Sequence, residues 1–164
     1  MIASVPSKIA LASDVANAIL DGTDAIMLSG ESAAGDYPVE SVQMMTKIAT
    51  STEPIIPYRD RLEKAIANRQ RTITDAICIS VVECTLNLDN VSAIIAFTET
   101  GGTARRISKY RPNVPIIACT ESDEVLKAMT YHWGVIPMFV ENIRNIAGYD
   151  NVALTVKLFL CHTA

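Results

Sequence analysis

The chain has 164 residues, of which 49% are hydrophobic, and a formal net charge of −4. That length holds one full domain and part of another, and the apolar share excludes a disordered chain. The acidic balance excludes electrostatic wrapping of nucleic acid or an anionic membrane, so neither is expected as a partner. No run of about 18 apolar residues offers a membrane span. Ala10-Leu11-Ala12 resembles a leader cleavage site, but Lys8 breaks the apolar stretch and Asp14 follows at once, which rejects a signal peptide. Cys78, Cys84, Cys119 and Cys161 lack CxxC spacing and sit in apolar runs. As buried free thiols they suit a reducing cytoplasm, and neither a disulfide framework nor a metal site is expected.

In chain order, Ser13 or Asp14 can cap a helix through Val15, Ala16, Ile19 and Leu20 that ends at Gly22. Asp24 to Leu28 is short and apolar and runs into Ser29-Gly30, which predicts a buried strand. Pro38 opens a second helix, with Val39, Val42, Met45 and Ile48 at helical spacing and Glu40 favouring its dipole. From Ser51 to Arg71 two prolines give way to the charged run YRDRLEKAIANRQR, read as a solvated connection between domains. Thr74 can then cap a helix whose apolar face includes Ile77, Val81, Cys84 and Leu88. Three apolar runs follow, VSAIIAFT, VPIIACT and VIPMFV, separated by helices of about Thr103–Tyr110 and Asp123–Met129. Continuous rather than alternating runs predict parallel strands covered on both faces and joined by right-handed crossovers. Asp150 can cap a last helix carrying Val152, Val156, Phe159 and Leu160.

The local pattern with most chemistry is Thr98-Glu99-Thr100-Gly101-Gly102-Thr103-Ala104-Arg105-Arg106, which leaves a strand and opens a helix. Two glycines let the backbone approach a ligand, three hydroxyls can donate, and the helix start supplies free N–H groups to an anion. Arg105 and Arg106 lie close enough to join them. The plainer reading is a tight turn with Thr103 as a cap, since neither GxGxxG nor GxxxxGK[ST] is present. Glu99 counts against a highly charged ligand. Ser29-Gly30-Glu31-Ser32 is a second polar cluster after an apolar run, by itself an ordinary turn. His132 and His162 are isolated, Trp133 reads as core, and no catalytic triad or carboxylate pair can be assembled.

Two longer segments resemble a known family. SDVANAILDGTDAIMLSGESAAGDYPVESV resembles the last helix–strand–helix of the pyruvate kinase (β/α)8 barrel. AFTETGGTARRISKYRPNVPIIACT resembles the first βαβ unit of that family's C-terminal domain. The resemblance implies phosphoryl transfer from phosphoenolpyruvate to ADP in the complete enzyme, with Mg2+ and K+ serving that enzyme and no cofactor for this chain. It implies that Ser29 and Glu31 are remnants of an active-site rim. It also implies that Thr98, Thr100, Gly101, Gly102, Thr103 and Arg106 hold the phosphate of a small-molecule effector, and that the chain forms homo-oligomers.

The departures are specific. Ala34 replaces a frequent lysine near the nucleotide, and Lys8-Ile9-Ala10-Leu11 replaces TRAE. Glu99 stands where some members activated by fructose bisphosphate carry a basic residue. Beyond Glu141 the likeness fades, and two final strands are not found. The expected fold is α/β: a three-layer, mostly parallel sheet with helices on both faces over 72–164. A barrel-derived helix–strand–helix over 1–50 and a connection over 51–71 precede it. A (β/α)8 barrel takes about 250 residues and draws its site from several strands. The isolated chain is therefore expected to be inactive, a regulatory remnant, a stand-alone phosphate sensor or an inert fragment. An uncovered sheet edge is expected to pair with another chain or with residues 24–28.

Overall fold

A computed structural model describes residues 5–142 and 155–160, with side chains described for 12–142. The chain divides into two compact units, Met1–Ile56 and Pro57–Ala164. Among the described residues no helix is long and apolar enough to cross a membrane.

The first unit contains α1 (Val5–Asp21), α2 (Gly30–Ala33) and α3 (Pro38–Thr52), then a 3-10 turn at Glu53–Ile55. Helix α1 stops at Gly22 as its sequence predicts. Gly22 has φ +94°, its N–H donates to Ile19 O, and the Thr23 N–H donates to Ala18 O, both at 3.1 Å. That pair of bonds closes a helix through a left-handed residue, which glycine adopts without strain. The start differs from expectation. Ser13 and Asp14 lie inside the helix rather than capping it, because no breaker separates them from Val5 and Pro6 falls in the first turn, where proline is tolerated. Val15 and Ile19 are buried, while Val39 and Val42 on α3 are exposed.

Residues 24–28 do not form the expected strand, and Met27 is 88% exposed. A strand is one half of a hydrogen-bonded pair. The segment makes a local bond instead, Thr23 Oγ1 donating to Ala25 O at 2.9 Å, with Ile26 and Leu28 half-buried. It does not serve as an added sheet strand.

The second unit runs α4 (Tyr58–Ala67), α5 (Ile73–Asn87), β1 (Val91–Phe97), α6 (Gly102–Lys109), β2 (Ile116–Thr120), α7 (Asp123–Met129), β3 (Val135–Phe139) and β4 (Thr155–Leu160). The charged run folds as α4, whose Leu62 is buried with Ala65 and Ile66 against the core of this unit. Arg59 Nη2 fastens it by donating to Asn87 Oδ1 at 3.0 Å. The sheet order is β3-β2-β1-β4. Strands β1 to β3 are parallel, with Ile94 opposite Ile116 and Ile116 opposite Val135. Ile94, Ala96, Ile116 and Ala118 turn to one side, against Cys78, Val82, Ala104, Ile107 and Met129 from α5, α6 and α7. Phe97 and Cys119 turn to the other, with Ile95, Ile117 and Val140. Both faces are apolar, so the strands read as unbroken apolar runs.

Two expectations fail here. Residues 155–160, expected within a last helix, form β4, antiparallel to β1 from Phe97↔Thr155 to Val91↔Leu160. The edge of β1 is a row of unpaired donors and acceptors, and filling it wins over the helical spacing of Val156, Phe159 and Leu160. Asp150 and Val152 lie outside the described residues. Helix α5 is capped by Thr72 rather than Thr74, because Thr72 is the extended residue whose Oγ1 accepts from Asp75 N. Its buried side is Cys78, Ile79, Val82 and Thr85; Ile77 and Leu88 of the expected core stripe are exposed.

A polar clasp joins α5 to α6. Tyr110, 1% exposed, donates from Oη to Asp75 Oδ1 at 3.0 Å. Asp75 Oδ2 accepts from Thr72 Oγ1 at 3.1 Å. Burial, and then Asp75, push the Tyr110 pKa up to about 12. An unfolded tyrosine ionises near pH 10, so this stabilisation is complete below about pH 10 and is lost as pH rises through about 12. Over that window urea unfolding of the wild type should lose on the order of 1–3 kcal/mol more than Tyr110→Phe loses. The variant should be about 1 kcal/mol less stable at pH 8. Equal alkaline losses in both proteins would place the titrating group elsewhere.

Candidate functional site

The Thr98–Thr103 loop sits where parallel strands present their carboxyl ends, the usual ligand edge of an α/β sheet. Thr98 N donates to Cys119 O at 2.9 Å, so the β1 ladder continues to the loop's first residue. Gly101 takes the left-handed conformation, φ +79°, and its O accepts from Arg105 N at 3.0 Å to start α6. Helices α5 and α7 have side-chain caps, Thr72 and Ser122. Gly101 has none to offer. The N–H groups at the start of α6 receive no cap from Gly101 and carry the positive end of the dipole.

The hydroxyls flank this donor set. Thr98 and Thr103 are each 6% exposed, and their hydroxyl oxygens keep contact with solvent rather than being buried without a partner. Gly102 leaves a hollow: a Cβ there would stand 3.5 Å from Thr100 Oγ1 and 3.9 Å from Arg106 Nη1. The absent side chain is thus replaced by a hydroxyl on one side and a guanidinium on the other, a cradle of one oxyanion's chemistry. Thr100, Gly102 and Arg106 are brought together, with Thr98 and Thr103 at the two ends of the loop. Arg105 and Arg106 are exposed at the helix surface.

The neighbouring β2 loop supports this one, a role not expected from the sequence. Thr120 is fully buried and its Oγ1 accepts from Ser122 N at 3.2 Å, while Ser122 Oγ caps α7 through Val125 N at 3.3 Å. The pattern Thr-x-Ser before Asp-Glu was the available signal. Met129 of α7 lies directly under Gly101.

Ser29 and Glu31 fall in the other unit. Glu31 Oε2 accepts from Ser29 N at 3.2 Å, and Ser32 Oγ donates to Ser29 O at 3.4 Å, a self-contained turn opening α2. Gly35 was overlooked: a Cβ there would stand 2.5 Å from Glu31 O, so only glycine allows the turn to fold so closely. Among the described residues no three His, Cys, Asp or Glu side chains are grouped to hold a metal ion. Cys78 and Cys119 are free, and burial raises both thiols, further for Cys78 because of Asp75 and less because of Arg106. They stay neutral, as core residues rather than nucleophiles. His132 and Trp133 are half-buried, with Arg111 over the indole at 4.9 Å; Cys161 and His162 lie outside the described residues.

The two glycines divide the work, and substitution separates them. At Gly101 a Cβ would be strained by φ +79° and would meet Met129 Cε at 2.5 Å. Gly101→Ala should cost about 1–3 kcal/mol in urea unfolding, while Gly102→Ala should stay within about 0.5 kcal/mol of wild type. Similar losses would mean that the strain is not concentrated at Gly101.

Comparison with known proteins agrees with this architecture. The pyruvate kinase alpha/beta domain matches residues 75–161, more than half of the chain, and the pyruvate kinase barrel domain matches residues 1–42. The pyruvate kinase of Geobacillus stearothermophilus is 53% identical over 124 residues, 76% of this chain and 21% of that protein. That of Staphylococcus epidermidis is 51% identical over 147 residues, 90% of this chain and 25% of that protein. That of Clostridium acetobutylicum is 49% identical over 127 residues, 77% and 27% respectively. The chain spans about a quarter of the length of the curated relatives it matches. With an α/β unit and a barrel-matching segment in the family's order, the chain belongs to the pyruvate kinase family.

Proposed function

We propose that the Thr98–Thr103 loop binds the phosphate of a small phosphorylated metabolite, and that this chain is a regulatory and subunit-contact piece rather than a complete catalyst. The observation that carries the reading is the Gly102 hollow between Thr100 Oγ1 and Arg106 Nη1, set at an uncapped helix start. The Thr98 and Thr103 hydroxyls, on largely buried side chains but open to solvent, support it as available donors. The exposed Glu99 beside the loop favours a monophosphate over a bisphosphate.

The complete enzyme's conversion of phosphoenolpyruvate and ADP to pyruvate and ATP depends on several charged groups clasping the transferring phosphoryl group. Ser29 and Glu31, bonded to each other in a local turn, do not supply such a clasp. The reading also includes self-association of the chain, a cytoplasmic setting in keeping with its free thiols, and no cofactor of its own.

Calorimetric titration with AMP, ribose 5-phosphate, glucose 6-phosphate and fructose 1,6-bisphosphate tests the site. One of the monophosphates should bind, and Gly102→Ala and Thr103→Ala should each weaken it about tenfold or more, the size of a lost charge-assisted hydrogen bond. No heat from any of the four would leave the loop as a turn. In a coupled assay with phosphoenolpyruvate, ADP, Mg2+ and K+, the purified chain should show no turnover above background. Measurable turnover would overturn that part of the reading.

A further inference from the structure

The Thr98–Thr103 loop lies against a helix that contributes none of its residues. Gly101 is buried in the left-handed conformation, φ +79°. A Cβ built on it would meet Met129 Cε at 2.5 Å, Met129 Sδ at 2.9 Å and Val125 Cγ1 at 3.3 Å. All three atoms belong to α7, where positions 125 and 129 stand one turn apart on the same side. Met129 is 3% exposed and part of the main core, with Val125 half-buried against it. The backbone of the turn thus comes so close to a thioether and a methyl group that no side chain fits between.

We infer that Met129 is a positioning residue, the floor that holds the Gly101 turn and so aims the start of α6; this deepens the phosphate reading proposed above and rests on it for what the turn serves. Glycine moves between left- and right-handed backbone regions at little cost, and Gly101 has no side chain with which to lock itself. Packing from outside the loop keeps it in one conformation. A floor does this by closing off every arrangement in which the turn sinks toward the core. Methionine suits the task, because its unbranched, adaptable chain fills an irregular gap beneath a bare backbone. The floor is itself anchored. Ser122 Oγ accepts from Val125 N at 3.3 Å, and Ser122 N donates to Oγ1 of the fully buried Thr120 at 3.2 Å. Thr120 O accepts in turn from Val140 N at 3.0 Å. Contacts therefore run from the ends of β2 and β3 through α7 to Gly101. Gly101 O accepts from Arg105 N at 3.0 Å, which passes the position on to α6. A site whose donors are backbone N–H groups depends on such support, since a small shift of the turn misdirects all of them together.

Amide hydrogen exchange of the full chain tests this without any ligand. The Arg105 amide, bonded to Gly101 O, reports on the turn, and the Ile94 amide, bonded to Pro115 O at 2.9 Å, reports on the sheet. Met129→Ala should speed exchange at Arg105 about tenfold more than at Ile94, and Met129→Leu, which keeps the bulk of the floor, should restore it. Val125→Ala, which removes less of the core, should act in the same direction about threefold, and it keeps the test open if Met129→Ala does not fold. Gly101→Ala should also be better tolerated once Met129 is cut back. Its fold-loss in the folding equilibrium constant should shrink about fivefold in the Met129→Ala background, because the added Cβ gains room. Equal acceleration at Arg105 and Ile94 in both truncations, with additive losses, would make Met129 an ordinary core residue and overturn the inference. Titration with inorganic phosphate, followed at the Gly102 and Thr103 amides, distinguishes this from failure of the phosphate reading. Binding weakened about tenfold by Met129→Ala and restored by Met129→Leu supports both. Undiminished binding in Met129→Ala would overturn the positioning role. No binding by the wild type would remove the phosphate reading, while local exchange at Arg105 would still uphold the hold of Met129 on the turn.

Discussion

The position of β1 between β2 and β4 is the constraint on which the rest of the second unit depends. Flanked on both sides, β1 presents Ile94 and Ala96 to one face and Ile95 and Phe97 to the other. Its last ladder bond, Thr98 N to Cys119 O, fixes where the chain leaves the sheet. From there only a short loop leads to α6, so the N–H groups at its start inherit their position from a hydrogen-bonded ladder. A loop built on such a support loses little conformational freedom when a ligand arrives.

The same logic explains why α6 does not drift. At its start Gly101 sits on Met129; at its end Tyr110 is held by Asp75 of α5. The Asp75 carboxylate is also tied to Thr72, so the cap of one helix is the anchor of another. Between these points Ala104 and Ile107 are fully buried against the sheet. The helix that carries the candidate site is pinned at both ends and along one side, while Arg105 and Arg106 stay on the solvent side.

Much of this was legible in the sequence, because the signals were local. Gly22 announced a helix end, Pro38 a helix start, and the three apolar runs gave β1 to β3 within a residue or two. The Thr98–Thr103 segment was legible as a strand–helix junction because two glycines follow an apolar run and precede a helical one. Strand 24–28 was misread because apolar content marks a candidate strand but cannot supply its neighbour. Residues 155–160 were misread in the opposite sense: helical spacing was present, but an open edge on β1 offered pairing that spacing cannot foresee. For α5, periodicity found a true apolar stripe and assigned it to the wrong side, since a helix apolar on two sides does not say which one meets the sheet.

That ambiguity carries physical content. A helix needs one apolar stripe to hold its place against a sheet, and α5 has Cys78, Ile79 and Val82 for that purpose. A second stripe adds nothing to the packing beneath it, and large side chains left in water, Ile73 most of all, favour any arrangement that covers them. The Thr98–Thr103 loop shows the corresponding polar case: both threonines are 6% exposed, and their hydroxyls keep contact with solvent. In both places the fold leaves groups at the surface that its own packing does not use, apolar area on α5 and solvent-accessible hydroxyls at the start of α6.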